Sequence, residues 1–259
     1  MRKKKKNRNA VLVPLLITVA FFVLWELFCW AFKVDVFILP RPSVILASMW
    51  NHHTIILTNS IQTFVTTMLG FGLAVAVGLL LGMLVGASPA VYQGVYPIMV
   101  GLNSIPKVAI VPILVIWFGI GAVPAVLTAF SIAFFPIMVN VATGLATMEP
   151  ELRDVLRSLG ARKSHILWKV GVPRSMPFFF ASLKVAIGMA FIGSVVSETM
   201  ASNNGIGFLM MTASARFDVP LVFAGLFVIA LMGVGMYEFF AALERRVTFW
   251  AMRGNEIVT

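Results

Sequence analysis

The sequence predicts an all-α polytopic membrane protein with about six transmembrane helices. Hydrophobic residues make up 60% of the chain and charged residues only 12%, whereas a soluble domain is typically about a quarter charged. The mean hydropathy is +0.97. Apolar runs of 18 or more residues recur along the chain, and such runs are typical of membrane spans. Too few polar groups remain to cover a water-facing surface, so most of the mass is predicted to lie in the bilayer.

The first apolar run follows a basic N-terminal stretch. It extends over 23 residues, 10–32, and is longer than the hydrophobic segment of a signal peptide. We therefore predict an uncleaved first span. The six predicted spans are 10–32, 60–86, 97–118, 122–146, 178–200 and 220–243.

Prolines interrupt the third and fourth predicted spans. In lipid they are tolerated where neighbouring helices or a water-filled cavity satisfy the freed backbone groups. Both spans are therefore expected to face protein or a pathway rather than lipid. The prolines are Pro97, Pro106, Pro112, Pro124 and Pro136.

The distribution of Lys and Arg predicts that both termini are cytoplasmic. With the N-terminus inside, the outer segments hold Lys33, Arg41 and Arg216, and positive residues concentrate on the cytoplasmic side of membrane proteins. The predicted cytoplasmic set is five times larger: Arg2, Lys3, Lys4, Lys5, Lys6, Arg8, Arg153, Arg157, Arg162, Lys163, Lys169, Arg174, Arg245, Arg246 and Arg253. This placement explains the net charge of +10 through topology and membrane lipids, without a nucleic-acid partner.

The domain organisation follows from these spans. We predict a basic cytoplasmic N-terminus (1–9), a first span with an outer interfacial helix (10–58), a core (59–247) and a cytoplasmic tail (248–259). Residues 39–53 supply the interfacial helix after a proline-rich start. Residues 202–210, with two glycines, predict either a plain loop or backbone that lines a cavity.

No sequence motif indicates catalysis. The chain has no GxxxxGK[ST] loop, no HExxH motif and no dense acidic cluster. Its one cysteine, Cys29, allows no intrachain disulfide or thiol metal site. His52 and His53 are predicted outside and His165 inside, so they cannot share one site. We predict neither a metal site nor an enzyme.

Ionisable residues inside predicted spans are few. They are costly in lipid and usually face a bundle interior or a pathway. Lys107 and Glu198 are therefore expected to face a pathway or to pair with each other, and Lys107 has a third alternative as a snorkelling lysine. The candidate pathway residues are Asn103, Ser104, Lys107, Glu198, Asn203 and Asn204.

The loop 149–177 predicts two short amphipathic helices hinged at a glycine. Apolar residues recur at helical spacing in its first half, Leu152, Val155, Leu156 and Leu159. Gly160 is predicted to cap that helix, and Pro173 is predicted to end a second helix over 163–170. The pattern fits a helix pair on anionic headgroups and equally a helix that docks in a groove of a cytoplasmic partner.

The spacing in this loop resembles the EAA loop of the permease subunits of bacterial ABC importers. Asp154-Val155-Leu156 stands at the E-A-A place, Gly160 follows after three residues, and Val170-Gly171-Val172-Pro173 comes after nine more. Residues 39–50, 103–121 and 182–210 are also similar to the branch that imports sulfonates, taurine, nitrate and related small compounds. Thiamine-precursor permeases are similar too.

The resemblance implies a type I importer permease fold in the bacterial plasma (inner) membrane, and a small anionic or polar organic solute. It implies two cytoplasmic ATPase subunits that bind ATP and Mg, a second identical permease copy and an extracytoplasmic binding protein. No cofactor is expected on this chain. The implied ATPase-coupling residues are Glu151, Asp154, Val155, Leu156, Leu159, Gly160 and Pro173. The alternative is a stand-alone secondary carrier or channel that uses a carboxylate such as Glu198 or Glu238.

Overall fold

A computed structural model describes residues 8–147 and 149–247, and every regular element in this part of the chain is helical. Five helices are long and apolar enough to cross a membrane, and a bent pair makes a sixth span, which confirms the predicted fold class. Most of the predicted basic N-terminus and the whole predicted tail lie outside the described residues. The α-helices are α1 (Arg8–Ala31), α2 (Pro42–Asn51), α3 (His53–Gly86), α4 (Pro89–Asn103), α5 (Val111–Phe118), α6 (Ala122–Ala146), α7 (Pro150–Ser158), α8 (Lys163–Ile166), α9 (Val172–Ala201), α10 (Ile206–Ala215) and α11 (Val219–Val247).

The core consists of α3, α6 and α9, with α6 in extensive contact with both of the others. Small residues recur every four positions along α3. A Cβ added at Gly82 would lie 2.7 Å from Val141 Cβ and 2.8 Å from the carbonyl oxygen of Met138, both on α6. Because lipid provides no hydrophobic drive between helices, close backbone approach is what stabilises such a pair. The stripe comprises Gly70, Ala74, Gly78, Gly82 and Gly86.

The third span is broken rather than continuous, which corrects the prediction of one span over 97–118. It begins with α4, stops at Asn103, and resumes as a 3₁₀ turn (Lys107–Ile110) leading into α5. The two halves meet at 71°. Pro106 has no N–H to continue the helical ladder, so the chain turns there.

The fourth span is not interrupted, although its prolines predicted a break. Pro124 lies in the first turn of α6, where a missing N–H has no intrahelical acceptor. Pro136 lies inside the same helix, which continues to Ala146. Neighbouring helices hold α6 on two sides, and this packing outweighs the loss of one hydrogen bond.

The fifth span begins earlier than predicted, and Pro173 does not end the helix before it. Helical backbone runs without a break from Ser164 to Ala201. A π-helical turn, Leu167–Gly171, joins α8 to α9. The wider turn accommodates the proline ring and its missing donor, because its hydrogen bonds skip one more residue than those of an α-helix.

Helices α2, α10 and α11 share a second apolar cluster. Ile45 of α2 is fully buried against Ile206 and Leu209 of α10 and Leu221 of α11. The opposite face of α2 exposes Trp50, so the predicted interfacial helix packs on one side only. The predicted domain boundary at residue 58 lies inside α3 and marks no structural break.

Candidate coupling and translocation sites

The glycine at the end of α7 caps the helix as the sequence predicted. Gly160 has a φ of +82°, a region that favours glycine. Its N–H donates to the carbonyl of Arg157 at 2.9 Å, and the N–H of Ala161 donates to the carbonyl of Leu156 at 3.0 Å. These two bonds form a Schellman motif, which fixes the angle between α7 and α8.

The apolar stripe of α7 is divided between packed and exposed residues. Leu152 and Leu156 are half-buried, whereas Val155 and Leu159 are 56% and 77% exposed. Exposed leucine and valine side chains on a short polar helix are unfavourable in water unless something covers them. The structure therefore gives α7 an apolar face with no partner in the described chain.

Two exposed ion pairs lie in the first part of the loop. Arg174 at the beginning of α9 bonds Glu149 at 3.1 Å, and Asp154 lies 3.8 Å from Arg157 on α7. Glu151 is exposed in the first turn of α7, where a negative charge suits the helix dipole. Among the predicted coupling residues, Pro173 alone lies in α9, within its first turn.

Three predicted pathway residues come together at the break in the third span. The ammonium group of Lys107 donates to Asn103 Oδ1 at 2.7 Å and to the Asn103 carbonyl at 3.1 Å. It also lies 5.8 Å from the centre of the Phe135 ring on α6. Ser104 is exposed, and its hydroxyl donates to the carbonyl of Val100. The break thus presents a lysine whose position is set by its own backbone turn.

Glu198 does not pair with Lys107, and the predicted ion pair between them is wrong. Only 1% of Glu198 is exposed. Its Oε2 accepts hydrogen bonds from the Thr63 hydroxyl at 2.7 Å and from the N–H of Gly207 at 3.3 Å. Its Oε1 accepts one from the Thr66 hydroxyl at 3.1 Å. The carboxylate therefore joins α9 to α3 and to the start of α10.

Asn203 and Asn204 are exposed in the turn between α9 and α10. Within the described residues, no hydrogen bond links them to Asn103, Ser104 or Lys107. For residues 202–210 the sequence predicted either a plain loop or backbone that lines a cavity. Neither alternative describes the whole segment, because a short turn is followed at once by α10, whose first residues are buried.

Glu238 of α11 is exposed and lies 3.5 Å from Arg245.

Comparison with known families identifies the chain. Residues 74–249 match the family described as the binding-protein-dependent transport system inner membrane component. The chain belongs to this family. It is a permease subunit of an ABC importer, located in the inner membrane, and such permeases act with an ATPase and a binding protein.

Two curated relatives are similar to this permease over most of their length. The formylaminopyrimidine transport permease protein of Halalkalibacterium halodurans is 28% identical over 246 residues, covering 95% of this chain and 98% of the relative. The taurine transport system permease protein of Escherichia coli is 30% identical over 204 residues, covering 79% and 72%. Both names fall within the branch that the sequence resembled.

A solved structure supports the fold. The permease is similar to a chain of an inward-facing MetNI methionine ABC transporter, with a TM-score of 0.63 and 16% identity. The match covers 81% of this permease and 99% of that chain. The fold is therefore that of a type I importer permease.

Sequence reasoning missed the partners of Glu198. Thr63 and Thr66 lie well over a hundred residues away from it along the chain, and nothing local marks them. The sequence does contain a signal for the small-residue stripe of α3, because Gly and Ala at every fourth position predict a close helix interface.

Proposed function

We propose that this permease imports a small anionic or polar solute of the sulfonate, taurine, nitrate or thiamine-precursor class, delivered by an extracytoplasmic binding protein. In this proposal two identical permease copies enclose the pathway and two ATPase subunits bind ATP and Mg. The catalytic work of hydrolysis belongs to those subunits, and this chain binds no cofactor. Both termini and the α7–α8 loop are cytoplasmic, as the Lys and Arg distribution favours.

The observation that carries the proposal is the exposed apolar face of α7. Val155 and Leu159 are exposed on a helix that ends at the Gly160 cap and begins next to the Arg174–Glu149 ion pair. A helix of this kind fits the groove of a soluble partner, with apolar side chains as anchors. The predicted alternative is a helix pair resting on headgroups. That arrangement does not require the angle that the Gly160 cap sets between α7 and α8.

Lys107 supports an anionic solute. Its ammonium group lies at the break in a membrane span, where non-helical backbone is tolerated in membrane proteins when it is buried in protein or lines a cavity. The amide oxygen of Asn103 and the ring of Phe135 hold the charge without neutralising it. Asn103, Ser104 and Lys107 are therefore proposed to line the pathway.

A stand-alone carrier is less well supported. Such a carrier needs a carboxylate that exchanges protons or ions with water on both sides. Glu198 is enclosed by three donors and is almost unexposed, and Glu238 is exposed next to Arg245. Neither position favours a coupling site.

The Gly160 cap gives a direct test. Gly160→Val places a β-branched residue at a positive φ, which costs about 1–2 kcal/mol although the surrounding space is open. Gly160→Asn is the matched control, because asparagine tolerates this conformation. We expect both variants in the membrane at wild-type levels, with ATPase co-purification and ATP-driven uptake reduced only in Gly160→Val. Equal co-purification and uptake in both would refute the coupling role.

The substrate class has a separate test. The permease, reconstituted with an ATPase and a binding protein from the same organism, is supplied with taurine, an alkanesulfonate, nitrate and a formylaminopyrimidine. The expected result is ATP-dependent uptake of at least one of these. If none of them were taken up while ATP was hydrolysed, the solute would belong to a different chemical class.

A further inference from the structure

The start of α10 is capped by side chains from two other helices. Three consecutive amides open this helix. The N–H of Gly205 donates to Asn59 Oδ1 at 2.7 Å, that of Ile206 to Thr63 Oγ1 at 2.8 Å, and that of Gly207 to Glu198 Oε2 at 3.3 Å. Helix termini leave such amides without intrahelical partners, and here α3 and α9 supply all three acceptors.

Two of the acceptors, Thr63 and Glu198, belong to one connected network. Thr63 donates to Glu198 while it accepts from Ile206. Thr66 donates to the other carboxylate oxygen and shares a 2.6 Å hydrogen bond with the hydroxyl of Ser194. All these side chains are buried. Buried networks that are fully satisfied tend to rigidify their surroundings.

Two glycines allow α10 to approach the carboxylate. A Cβ added at Gly205 would collide with the carboxyl group of Glu198, and one at Gly207 would collide with the carbonyl oxygen of Val195. Gly205 also has a φ of +104°. The backbone of α10 therefore lies directly against the Glu198 side chain, and a side chain at Gly205 or Gly207 would not fit.

Glu198 lies near the outer end of the helix whose other end bears the coupling loop. The unbroken helix of 38 residues from Ser164 to Ala201 is about 57 Å long at 1.5 Å per residue. Beyond α10, the apolar cluster of Ile206 and Leu209 with Ile45 of α2 extends the connection to the outer helices.

We infer that Glu198 is a positioning residue that locks α10 to the outer ends of α3 and α9, so that movement of the coupling loop reaches the outer face as one rigid unit. The role in transport depends on the proposed function, but the lock itself does not. Glu198 thus acts through α10 and does not touch the solute.

Hydrogen exchange on the purified permease alone tests the lock. In Glu198→Ala the amides of residues 205–207 lose protection about tenfold or more, since one cap is removed and Thr63 and Thr66 lose their acceptor. Glu198→Gln, which keeps an acceptor oxygen, stays close to wild type, as does Gly72→Ala, a glycine with no neighbour within 4 Å of an added Cβ. Unchanged protection in Glu198→Ala overturns the inference.

A second variant keeps the test decisive if Glu198→Ala does not fold. Thr63→Val preserves shape but removes the hydroxyl that donates to Glu198 and accepts from Ile206. Its control is Thr58→Val, an exposed threonine on the same helix whose hydroxyl bonds only its own backbone. The same loss of protection at 205–207 is expected in Thr63→Val alone, and its absence overturns the lock.

Distances across the lock test the rigid unit. Spin labels at Met211 on α10 and Ile61 on α3, both exposed, are introduced into a Cys29→Ala background, because Cys29 is the one cysteine of the chain. In the complex with the ATPase, the label distance stays the same with and without trapped ATP. A shift on trapping would show that α10 moves separately and would overturn the inference.

Transport separates positioning from plain stability. Glu198→Ala is expected to lower binding-protein-dependent uptake about tenfold or more while ATPase co-purification stays at the wild-type level, with recovery in Glu198→Gln. Wild-type uptake despite lost protection would refute the positioning role. If the wild-type chain bound no ATPase, the proposed function would fail, and the exchange experiment would still decide whether Glu198 holds α10.

Discussion

Glu26 of α1 caps α2 by accepting two hydrogen bonds from Ser43. The backbone N–H of Ser43 donates to one carboxylate oxygen at 3.0 Å and its hydroxyl to the other at 2.8 Å. Helix α1 makes few other contacts with the core, apart from aromatic pairs such as Trp25 with Phe227. Within the described residues, this carboxylate is therefore the main polar link between the first span and the rest of the permease.

Replacing Glu26 is expected to loosen the first span. Glu26→Ala removes both acceptors at the start of α2, and the loss of a helix cap costs about 0.5–2 kcal/mol. Ser43→Ala removes only the hydroxyl bond and should cost less. Thermal unfolding in detergent measures both variants. An equal and negligible effect of the two would mean that aromatic contacts alone hold α1.

The small-residue stripe on α3 predicts that a larger side chain at one of its positions strongly lowers the stability of the permease. Gly82→Leu forces a large side chain against Val141 and Met138, and overpacking of this kind typically costs about 1–3 kcal/mol or more. Gly72→Leu is the matched control on the same helix, because an added Cβ there meets open space. Denaturant unfolding should separate the two variants clearly. Similar stabilities would show that the α3–α6 contact yields more easily than its distances indicate.

Lys107 has a test based on charge. Lys107→Gln is expected to lower the uptake of an anionic solute about tenfold, the equivalent of about 1.4 kcal/mol of lost attraction. Lys107→Arg keeps the charge and should retain most of the uptake. Assembly with the ATPase is the control measurement. If uptake of every anionic candidate were unaffected in Lys107→Gln, Lys107 would be structural only.

The exposed face of α7 predicts a binding defect without a folding defect. Val155→Asp and Leu159→Asp place a charge where an apolar anchor is proposed, and their exposure means that the permease itself loses little packing. Arg157→Ala, about 200° around the helix from Val155, is the control and should bind the ATPase normally. Co-purification from membranes reports binding. Normal ATPase binding by both Asp variants would exclude this face as the docking site.

The spans and the Gly160 cap were predictable because their causes are local. Long apolar runs form helices in a bilayer wherever they occur, and a glycine at a helix end adopts a positive φ for steric reasons. The site around Glu198 was not predictable, because its partners Thr63 and Gly207 meet it only through the packing of three helices. Prolines were the least reliable guide. Pro106 breaks a span, whereas Pro136 and Pro173 lie within continuous helix, and their neighbours decide the difference.

The π turn at Leu167–Gly171 also sets the rotation of α9 about its own axis. A turn of this kind holds one residue more than the α-helix it interrupts, so it rotates every later side chain by about 100° around the helix axis. A continuous α-helix over the same residues would swing Glu198 away from Thr63, whereas deleting one residue within the turn would restore α-helical geometry there and leave the two residues aligned. The face that α9 turns toward α3 is therefore set some thirty residues upstream, next to the loop between α7 and α8.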